Sequence, residues 1–194
     1  MSLCDSASKP VFGRLAPSEA PGQVLACDAG GLAAVGRLLR AAPPGDANRP
    51  IVLVEAGDIA GLRERAPAGA RLAPGRTAYG ALLSEILSTA SMGCRLRICG
   101  TEAFVAATVR LALEAGLARD AIEAERAGAH CRDAQCAHCK TLLRDLRRRV
   151  ARCGGCGRHL VVRDHFSRRI GAYQAVTIDP ADPAFAALSQ EDPA

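Results

Sequence analysis

Two closely spaced pairs of cysteines constrain this chain more than any other feature of its sequence. Cys136 and Cys139 lie in CAHCK, Cys153 and Cys156 lie in CGGCG, and thirteen residues separate the two pairs. A spacer of two residues lets one tight turn direct both sulfurs of a pair at a single ion, and two such turns complete a tetrahedron. The glycines of CGGCG permit this turn and offer almost no apolar surface for packing. The spacing therefore predicts a four-thiolate metal site in a small domain over residues 130–178.

Zinc is the metal expected at this site, because a segment of about 40 residues rarely builds an adequate core without a staple. A single iron, as in rubredoxins, would use the same four thiolates, so this alternative stays open. A two-iron cluster is a third interpretation, since Cys131, Cys136 and Cys139 have the spacing of plant-type ferredoxins. It would need a fourth ligand farther downstream than Cys156. Three histidines near the site are expected to lie beside it or on the surface, and the alternative is that one of them replaces a cysteine ligand: His130, His138 and His159.

The cysteines also bear on the cellular compartment. The chain has nine of them, and its first residues, MSLCDSASKPVFGRL, lack the apolar stretch of a secretory signal. No apolar run approaches the roughly 20 residues that a membrane-spanning helix needs. In a reducing compartment paired thiols are metal ligands or redox groups more often than disulfides. We therefore expect a cytoplasmic protein, in which Cys27 and Cys99 are small buried residues of strands.

Strands and helices alternate upstream of the cysteine pairs. Strands are predicted in VLAC, IVLVEAG and RLRICG, each followed by a helix or a turn-rich connection, with a last edge strand in AIEAERAG. Helices are predicted in GGLAAVGRLLRA, TAYGALLSEILSTA and TEAFVAATVRLALEAGL. Thr101 is placed to cap the last helix and Gly116 to end it. The alternation predicts a doubly wound, mostly parallel α/β domain over residues 21–128, between a flexible leader (1–20) and, after the metal domain, a tail (179–194).

Positive charge is concentrated in the region of the cysteines. Residues 130–172 carry eleven Lys and Arg against three Asp, whereas the remainder of the chain has more acidic than basic residues. Such a patch attracts an acidic protein surface or a phosphate backbone, and charge alone does not distinguish the two.

The stretch HLVVRDHFSRRIGAY combines a predicted strand, Leu160–Val162, with charged residues. Its Asp and His could form a catalytic pair, but no nucleophile in a recognisable setting accompanies them. Its arginines and Arg158 could contact nucleic-acid phosphates, although aromatic residues for stacking bases are few. A protein docking surface is favoured, because Arg pairs with carboxylates and aromatic residues anchor interfaces.

The segment RLRICGTEAFVAATVRLALEAGLARDAIEAERAG resembles the closing unit of the nicotinamide-binding domain of ferredoxin reductases. The residues that correspond are Cys99, Gly100, Glu102, Phe104 and Glu125. The stretch VLACDAGGLAAVGRLLRA is similar to the opening strand and glycine loop of that domain. Only two glycines of the loop remain, and the aspartate before them would repel phosphate. The resemblance therefore implies a reductase-like fold that has lost its dinucleotide site.

CAHCK followed by CGGCGRHLVVRDHFSRRIGAYQAV resembles the C-terminal domain of the small accessory subunit of bacterial haem-dependent dimethylamine monooxygenases, over residues 136–176. In that family a CxxCG turn leads into Leu, Val, Arg, Asp, His, Phe, Ser, Arg and Arg, and then into an Ala and Tyr pair. Gln174 departs from the methionine expected at its position.

This resemblance implies a subunit of an NADPH-dependent monooxygenase that N-demethylates dimethylamine to methylamine and formaldehyde. Catalysis would take place in partner chains: a haem-containing oxygenase subunit, and a reductase subunit with FMN and an iron–sulfur cluster. The present chain would have a structural role in assembly. The residues implied as contacts with partner subunits are Arg163, Asp164, His165, Arg168, Arg169 and Tyr173.

Overall fold

A computed structural model describes residues 10–18, 22–42, 50–57 and 60–190 of the chain. The chain divides into two compact units, one of which is Phe12–Ala129, while the other contains the residues from His130 onward. Within the described residues, no helix has both the length and the apolar character that crossing a membrane requires.

The first unit is an α/β structure. Its strands are β1 (Gln23–Cys27), β2 (Ile51–Ala56), β3 (Arg71–Pro74), β4 (Arg95–Gly100) and β5 (Ile122–Arg126). Its helices are α1 (Leu32–Arg40), α2 (Ala60–Arg63), α3 (Gly75–Ser88) and α4 (Glu102–Glu114). The strands form one sheet in the order β3-β2-β1-β4-β5, and every pairing in it is parallel.

Helices cover both faces of this sheet, because successive residues of a strand point to opposite faces. Val24 and Ala26 of β1 pack with α3 and α4, whereas Leu25 and Cys27 pack with α1. Thr101 caps α4 as predicted, since its hydroxyl oxygen accepts a hydrogen bond from the Phe104 N–H at 3.3 Å. The predicted mostly parallel α/β unit is thus confirmed.

Two elements of this unit are absent from the sequence-based prediction. The strand β3 has four residues, of which only Ala73 is buried, and α2 spans a single turn. Neither is long enough to show the periodicity by which strands and helices are recognised.

Part of the predicted leader packs on the sheet unit. Residues 10–18 have no regular secondary structure, but Leu15 is buried, and its N–H donates to a Glu125 carboxylate oxygen at 2.8 Å. Arg37 donates to the Leu15 carbonyl at 3.2 Å. The expectation of flexibility therefore does not hold at Leu15, and residues 1–9, 19 and 20 lie outside the described residues.

The second unit contains a smaller sheet. Its elements are β6 (Arg132–Cys136), β7 (Leu142–Leu146), β8 (Val150–Arg152), β9 (His159–Ser167), β10 (Ala172–Thr177) and α5 (Pro183–Gln190). The strand order is β7-β6-β10-β9-β8, with β6 and β10 parallel and the other neighbours antiparallel. Two hairpins result, β6–β7 and β8–β9, and each turns at one of the cysteine pairs. The helix α5 lies within the predicted tail, where the Phe185 ring contacts the His159 ring edge to face at 5.4 Å.

Candidate metal centre

The four cysteines of the two pairs converge on one point. All of their sulfur atoms lie within 4.8 Å of one another. The Sγ atoms of Cys136 and Cys156 are 3.9 Å apart, and those of Cys139 and Cys153 are 3.5 Å apart. Four sulfurs at about 2.3 Å from a tetrahedral ion are about 3.8 Å from one another. The four thiolates therefore fit a single tetrahedral ion such as zinc.

The two cysteine turns have the same hydrogen-bond pattern. In the first, the Cys136 N–H donates to the Thr141 carbonyl at 2.9 Å, and the Lys140 N–H donates to the Cys136 carbonyl at 3.0 Å. In the second, the Cys153 N–H donates to the Arg158 carbonyl at 2.8 Å, and the Gly157 N–H to the Cys153 carbonyl at 2.9 Å. Each turn therefore closes over the same number of residues, as its two-residue spacer requires. Each turn also directs its two thiols toward the shared cluster.

Lys140 and Gly157 occupy the equivalent position of the two turns. Both have left-handed backbone conformations, with φ angles of 64° and 71°. Glycine adopts this conformation at no steric cost, whereas a side chain is strained there. The first turn therefore carries a local strain that the second turn avoids.

Thr141 supports the thiolate form of Cys139. The Cys139 sulfur and the Thr141 hydroxyl are 3.2 Å apart. Hydrogen bonds to that sulfur from the Thr141 side chain and then from its backbone lower the pKa of the Cys139 thiol to about 6. A thiol must lose its proton to bind a metal, so this environment favours metal binding. Sequence reasoning missed Thr141, because no spacing rule marks the residue two positions after a ligand.

The other cysteine and the histidines near the site lie outside the cluster. Among the described residues, the group of side chains that could hold a metal contains only the four paired cysteines. The Cys131 sulfur lies 4.0 Å from an Asp145 carboxylate oxygen instead. This placement contradicts the two-iron interpretation, which requires Cys131 as a ligand. The same group also lacks the three nearby histidines, which were expected beside the site or on the surface: His130, His138 and His159.

The predicted contact residues Arg163, Asp164 and His165 protrude from the sheet. On the two sides of them, Val162 pairs with Ala175 and Phe166 pairs with Tyr173. Three residues of β9 therefore lie opposite the single residue Gln174 of β10, which is a β-bulge. All three are exposed, as are Arg168 and Arg169 in the turn that follows.

Tyr173 differs from the expectation that it contacts a partner. Its side chain is only 3% exposed, and its ring packs edge to face on Phe166 at a centroid distance of 5.1 Å. The Arg132 guanidinium lies 5.3 Å from the centre of the same ring. Tyr173 is thus a core residue of the second unit, because its strand position points to the face that packs on Ala134 and Leu160.

The glycine-containing loop that follows β1 in the first unit is closed by the chain itself. Asp28 accepts hydrogen bonds from the Gly31 N–H at 3.0 Å, and from the Thr101 hydroxyl and N–H at 2.7 and 3.0 Å. These donors, at the carboxyl ends of β1 and β4, are of the kind that would meet an anionic ligand. Gly128 also lies against Gly30, since a Cβ on Gly128 would be 2.8 Å from the Gly30 Cα. Protein atoms therefore occupy the region where a phosphate would approach.

Fold and site together define a protein in which a parallel α/β unit with a closed glycine loop precedes a unit with a four-thiolate centre. Models of the family described as dimethylamine monooxygenase subunit DmmA-like match this chain, the N-terminal domain over residues 6–122 and the C-terminal domain over residues 133–176. The chain therefore belongs to this family.

One curated relative is similar to this chain over part of its length. The heme-dependent oxidative N-demethylase delta subunit of Ectopseudomonas mendocina (strain ymp) is 39% identical over 102 residues, which are 53% of this chain and 58% of the relative. The match thus spans little more than half of either protein. No solved structure matches the chain significantly.

Proposed function

We propose that this chain is a non-catalytic accessory subunit of an NADPH-dependent haem monooxygenase that N-demethylates dimethylamine to methylamine and formaldehyde. The observation that carries the proposal is the four-thiolate centre, which leads through β9 into the exposed bulge within the residues that match the family's C-terminal domain. The name of the relative, a delta subunit of a heme-dependent oxidative N-demethylase, supports a role beside other subunits.

In this proposal the metal is zinc in a closed structural site of a zinc-ribbon-like domain. Cys136 and Cys139 belong to the β6–β7 hairpin, and Cys153 and Cys156 belong to the β8–β9 hairpin. Zinc supplies a cross-link between the hairpins rather than a reactive group. The core of this unit is small, so metal binding would contribute much of its folding free energy.

The α/β unit would be a ferredoxin-reductase-like domain that no longer binds dinucleotide. Its contribution would be shape, since Asp28 uses the N–H groups that a pyrophosphate would need. NADPH, FMN and an iron–sulfur cluster would then belong to a reductase subunit, and haem to an oxygenase subunit, in the cytoplasm. Five exposed residues would contact these partners: Arg163, Asp164, His165, Arg168 and Arg169.

A rubredoxin-like electron-transfer protein is a second candidate. The observation in its favour is that Cys139 and Cys156 are half-exposed, so an iron at the site would lie near the surface. Iron would then relay electrons between the reductase and the haem subunit. Tetrathiolate iron absorbs visible light whereas zinc does not, which separates the two candidates.

Co-expression with the haem and reductase subunits encoded in the same organism tests the proposal. We expect a stable complex in which this chain carries one zinc ion. The chain purified alone should show no visible absorption. A red chain with stoichiometric iron would favour the electron-transfer candidate. A chain that stays monomeric beside its expected partners would contradict a subunit role altogether.

A further inference from the structure

Five exposed arginines lie on three neighbouring segments of the second unit. Two belong to the turn between β7 and β8, one to the bulge of β9, and two to the turn between β9 and β10; we call them the cationic surface: Arg147, Arg148, Arg163, Arg168 and Arg169. None of their guanidinium groups makes a hydrogen bond or ion pair with any residue in the described part of the chain.

Strand pairing places the turn between β7 and β8 beside the bulge, and the turn between β9 and β10 follows the bulge along β9. The Val162 N–H donates to the Arg149 carbonyl at 2.7 Å, and Val150 pairs with Val161. The turn that carries Arg147 and Arg148 therefore ends beside the start of the bulge. This proximity is not visible in the sequence, where fifteen positions separate Arg148 from Arg163.

We infer that the cationic surface docks on an acidic surface of a folded partner protein. The inference rests on the proposed function, which it deepens by adding Arg147 and Arg148 and by specifying the chemistry of the partner. Guanidinium groups pair with carboxylates through two parallel hydrogen bonds, which gives geometric specificity as well as attraction. A bulge re-aims side chains, and Arg163 is the first of the three exposed residues at this bulge.

Two features of the same surface disfavour nucleic acid as the partner. Asp164 is exposed in the middle of the bulge, and its carboxylate would repel a phosphate backbone. Bases would need aromatic rings for stacking. Phe166 and Tyr173 pack on each other instead, and Tyr173 is buried. An interface between proteins tolerates an exposed carboxylate beside the arginines, because protein surfaces carry charges of both signs.

The metal centre fixes this surface indirectly. Cys153 and Cys156 lie in the turn that joins β8 to β9. The ion would therefore hold together β8, which follows the turn with Arg147 and Arg148, and β9, which contains Arg163. Loss of the ion would loosen the pairing between Val150 and Val161 and separate the arginines.

Charge reversal in the full, metal-loaded chain tests the inference. The variants are Arg147→Glu with Arg148→Glu, and Arg163→Glu with Arg168→Glu. Arg40→Glu with Arg65→Glu is the matched control, because both arginines are exposed in the other unit. Binding to the co-expressed haem and reductase subunits is measured by interferometry at low and high salt. We expect both surface variants to bind at least about tenfold more weakly, the control to bind normally, and salt to weaken the wild type.

The outcomes separate this inference from the proposed function. Normal binding by both surface variants would overturn the inference and leave the subunit role intact. If the wild type binds neither subunit, the subunit role fails, and nuclear magnetic resonance titrations with poly-L-glutamate and a short single-stranded DNA decide about the surface. Shifts confined to the cationic surface with poly-L-glutamate would support it. Tighter binding of the DNA at the same arginines would overturn the inference and make the surface a nucleic-acid site. Self-association of the chain through the cationic surface would also overturn it, because the partner would then be a second copy of this chain.

Discussion

The carboxylate of Asp28 accepts hydrogen bonds from both the hydroxyl and the N–H of Thr101, at 2.7 and 3.0 Å. Asp28 follows β1, and Thr101 follows β4, so the contact joins the ends of two neighbouring strands where they lead into their helices. The second carboxylate oxygen accepts from the Gly31 N–H. A side chain of the chain itself thus satisfies donors at the carboxyl ends of two parallel strands, which are of the kind that would otherwise meet an anionic ligand.

Replacing this carboxylate should cost stability without opening a nucleotide site. We expect Asp28→Asn to lower the free energy of unfolding by about 1–3 kcal/mol, because one amide oxygen cannot replace two charged acceptors and the amide NH₂ faces a donor. Urea unfolding measures the change, and Asp120→Asn, at an exposed position, is the control that should stay within about 0.5 kcal/mol. Calorimetric titration with NADPH should give no heat for wild type or variant. An equal loss in the two variants would show that Asp28 has no special role.

The close contact between Gly31 and β4 makes a second prediction. A Cβ on Gly31 would collide with the Cys99 carbonyl, a backbone atom that cannot turn aside. We expect Gly31→Ala to cost about 3 kcal/mol or more. Gly36, inside α1, which begins at the residue after Gly31, is the control: a Cβ there meets only the end of the Arg40 side chain, at 3.3 Å. Gly36→Ala should stabilise by about 0.5–1 kcal/mol in thermal unfolding, since alanine favours helix. If both variants lose stability alike, the tight contact is not the cause.

Glu125 makes the stability of the first unit depend on pH. Burial alone raises the pKa of its carboxyl, but hydrogen bonds from Arg37 and from the Leu15 N–H outweigh burial and leave the pKa below its ordinary value. A carboxyl whose pKa is lower in the folded than in the unfolded chain contributes stability above the unfolded value of about 4.3, and this contribution is lost as the pH falls through the folded value. The unfolding free energy should therefore fall as the pH drops below about 4.3.

Glu125→Gln should remove this part of the acid dependence and cost about 1–3 kcal/mol at neutral pH. The measurement is urea unfolding across the acid range. The control is Glu114→Gln, which breaks only the half-exposed ion pair with Arg110 within α4 and should change stability by less than about 0.5 kcal/mol. A Glu125→Gln variant with the same acid slope as the wild type would contradict the assignment.

The elements and the cysteine cluster that the sequence predicted correctly are those set by local rules. The cysteine spacing predicted the convergence of Cys136 and Cys156, because a two-residue spacer constrains the turn wherever it occurs. Apolar runs predicted β1, β2 and β4 of the parallel sheet, and Thr101 predicted the start of α4. Each of these depends on a few consecutive residues.

The features that the sequence did not predict depend on pairing between distant segments. The bulge at Arg163 results from the register of β9 on β10, and no residue of β9 by itself marks it. The burial of Tyr173 follows from the same register, which points its ring toward Phe166 rather than outward. The contacts of Leu15 with Arg37 and Glu125 join parts of the chain that only the fold brings together.

The two cysteine turns provide a matched pair for measuring backbone strain. Lys140 and Gly157 hold the equivalent left-handed position, and only Lys140 has a side chain there. We expect Gly157→Ala to destabilise the metal-bound unit by about 1–2 kcal/mol, because it introduces the strain that Lys140 already bears. Lys140→Gly should be neutral or stabilise by up to about 1 kcal/mol, since relief of strain is offset by the greater freedom of glycine in the unfolded chain. Thermal unfolding of the metal-loaded chain measures both changes, and a stabilising Gly157→Ala would contradict the argument.

Removing a ligand should unfold the second unit and spare the first. Cys139→Ser leaves three thiolates at the centre, and a unit whose core contains the cysteines themselves has little else to hold its two hairpins together. We expect this variant to lose its stoichiometric metal and the amide protection of β8 and β9 in hydrogen exchange, while β1 and β4 stay protected. Cys131→Ser is the matched control, because Cys131 lies near the centre but outside the cluster, and it should keep both metal and protection. Equal loss of metal in the two variants would show that Cys131 is also a ligand. Full amide protection of β8 and β9 in the metal-free Cys139→Ser variant would show that this sheet folds without the ion. The chelated wild type should match Cys139→Ser, since both lack the cross-link between the hairpins.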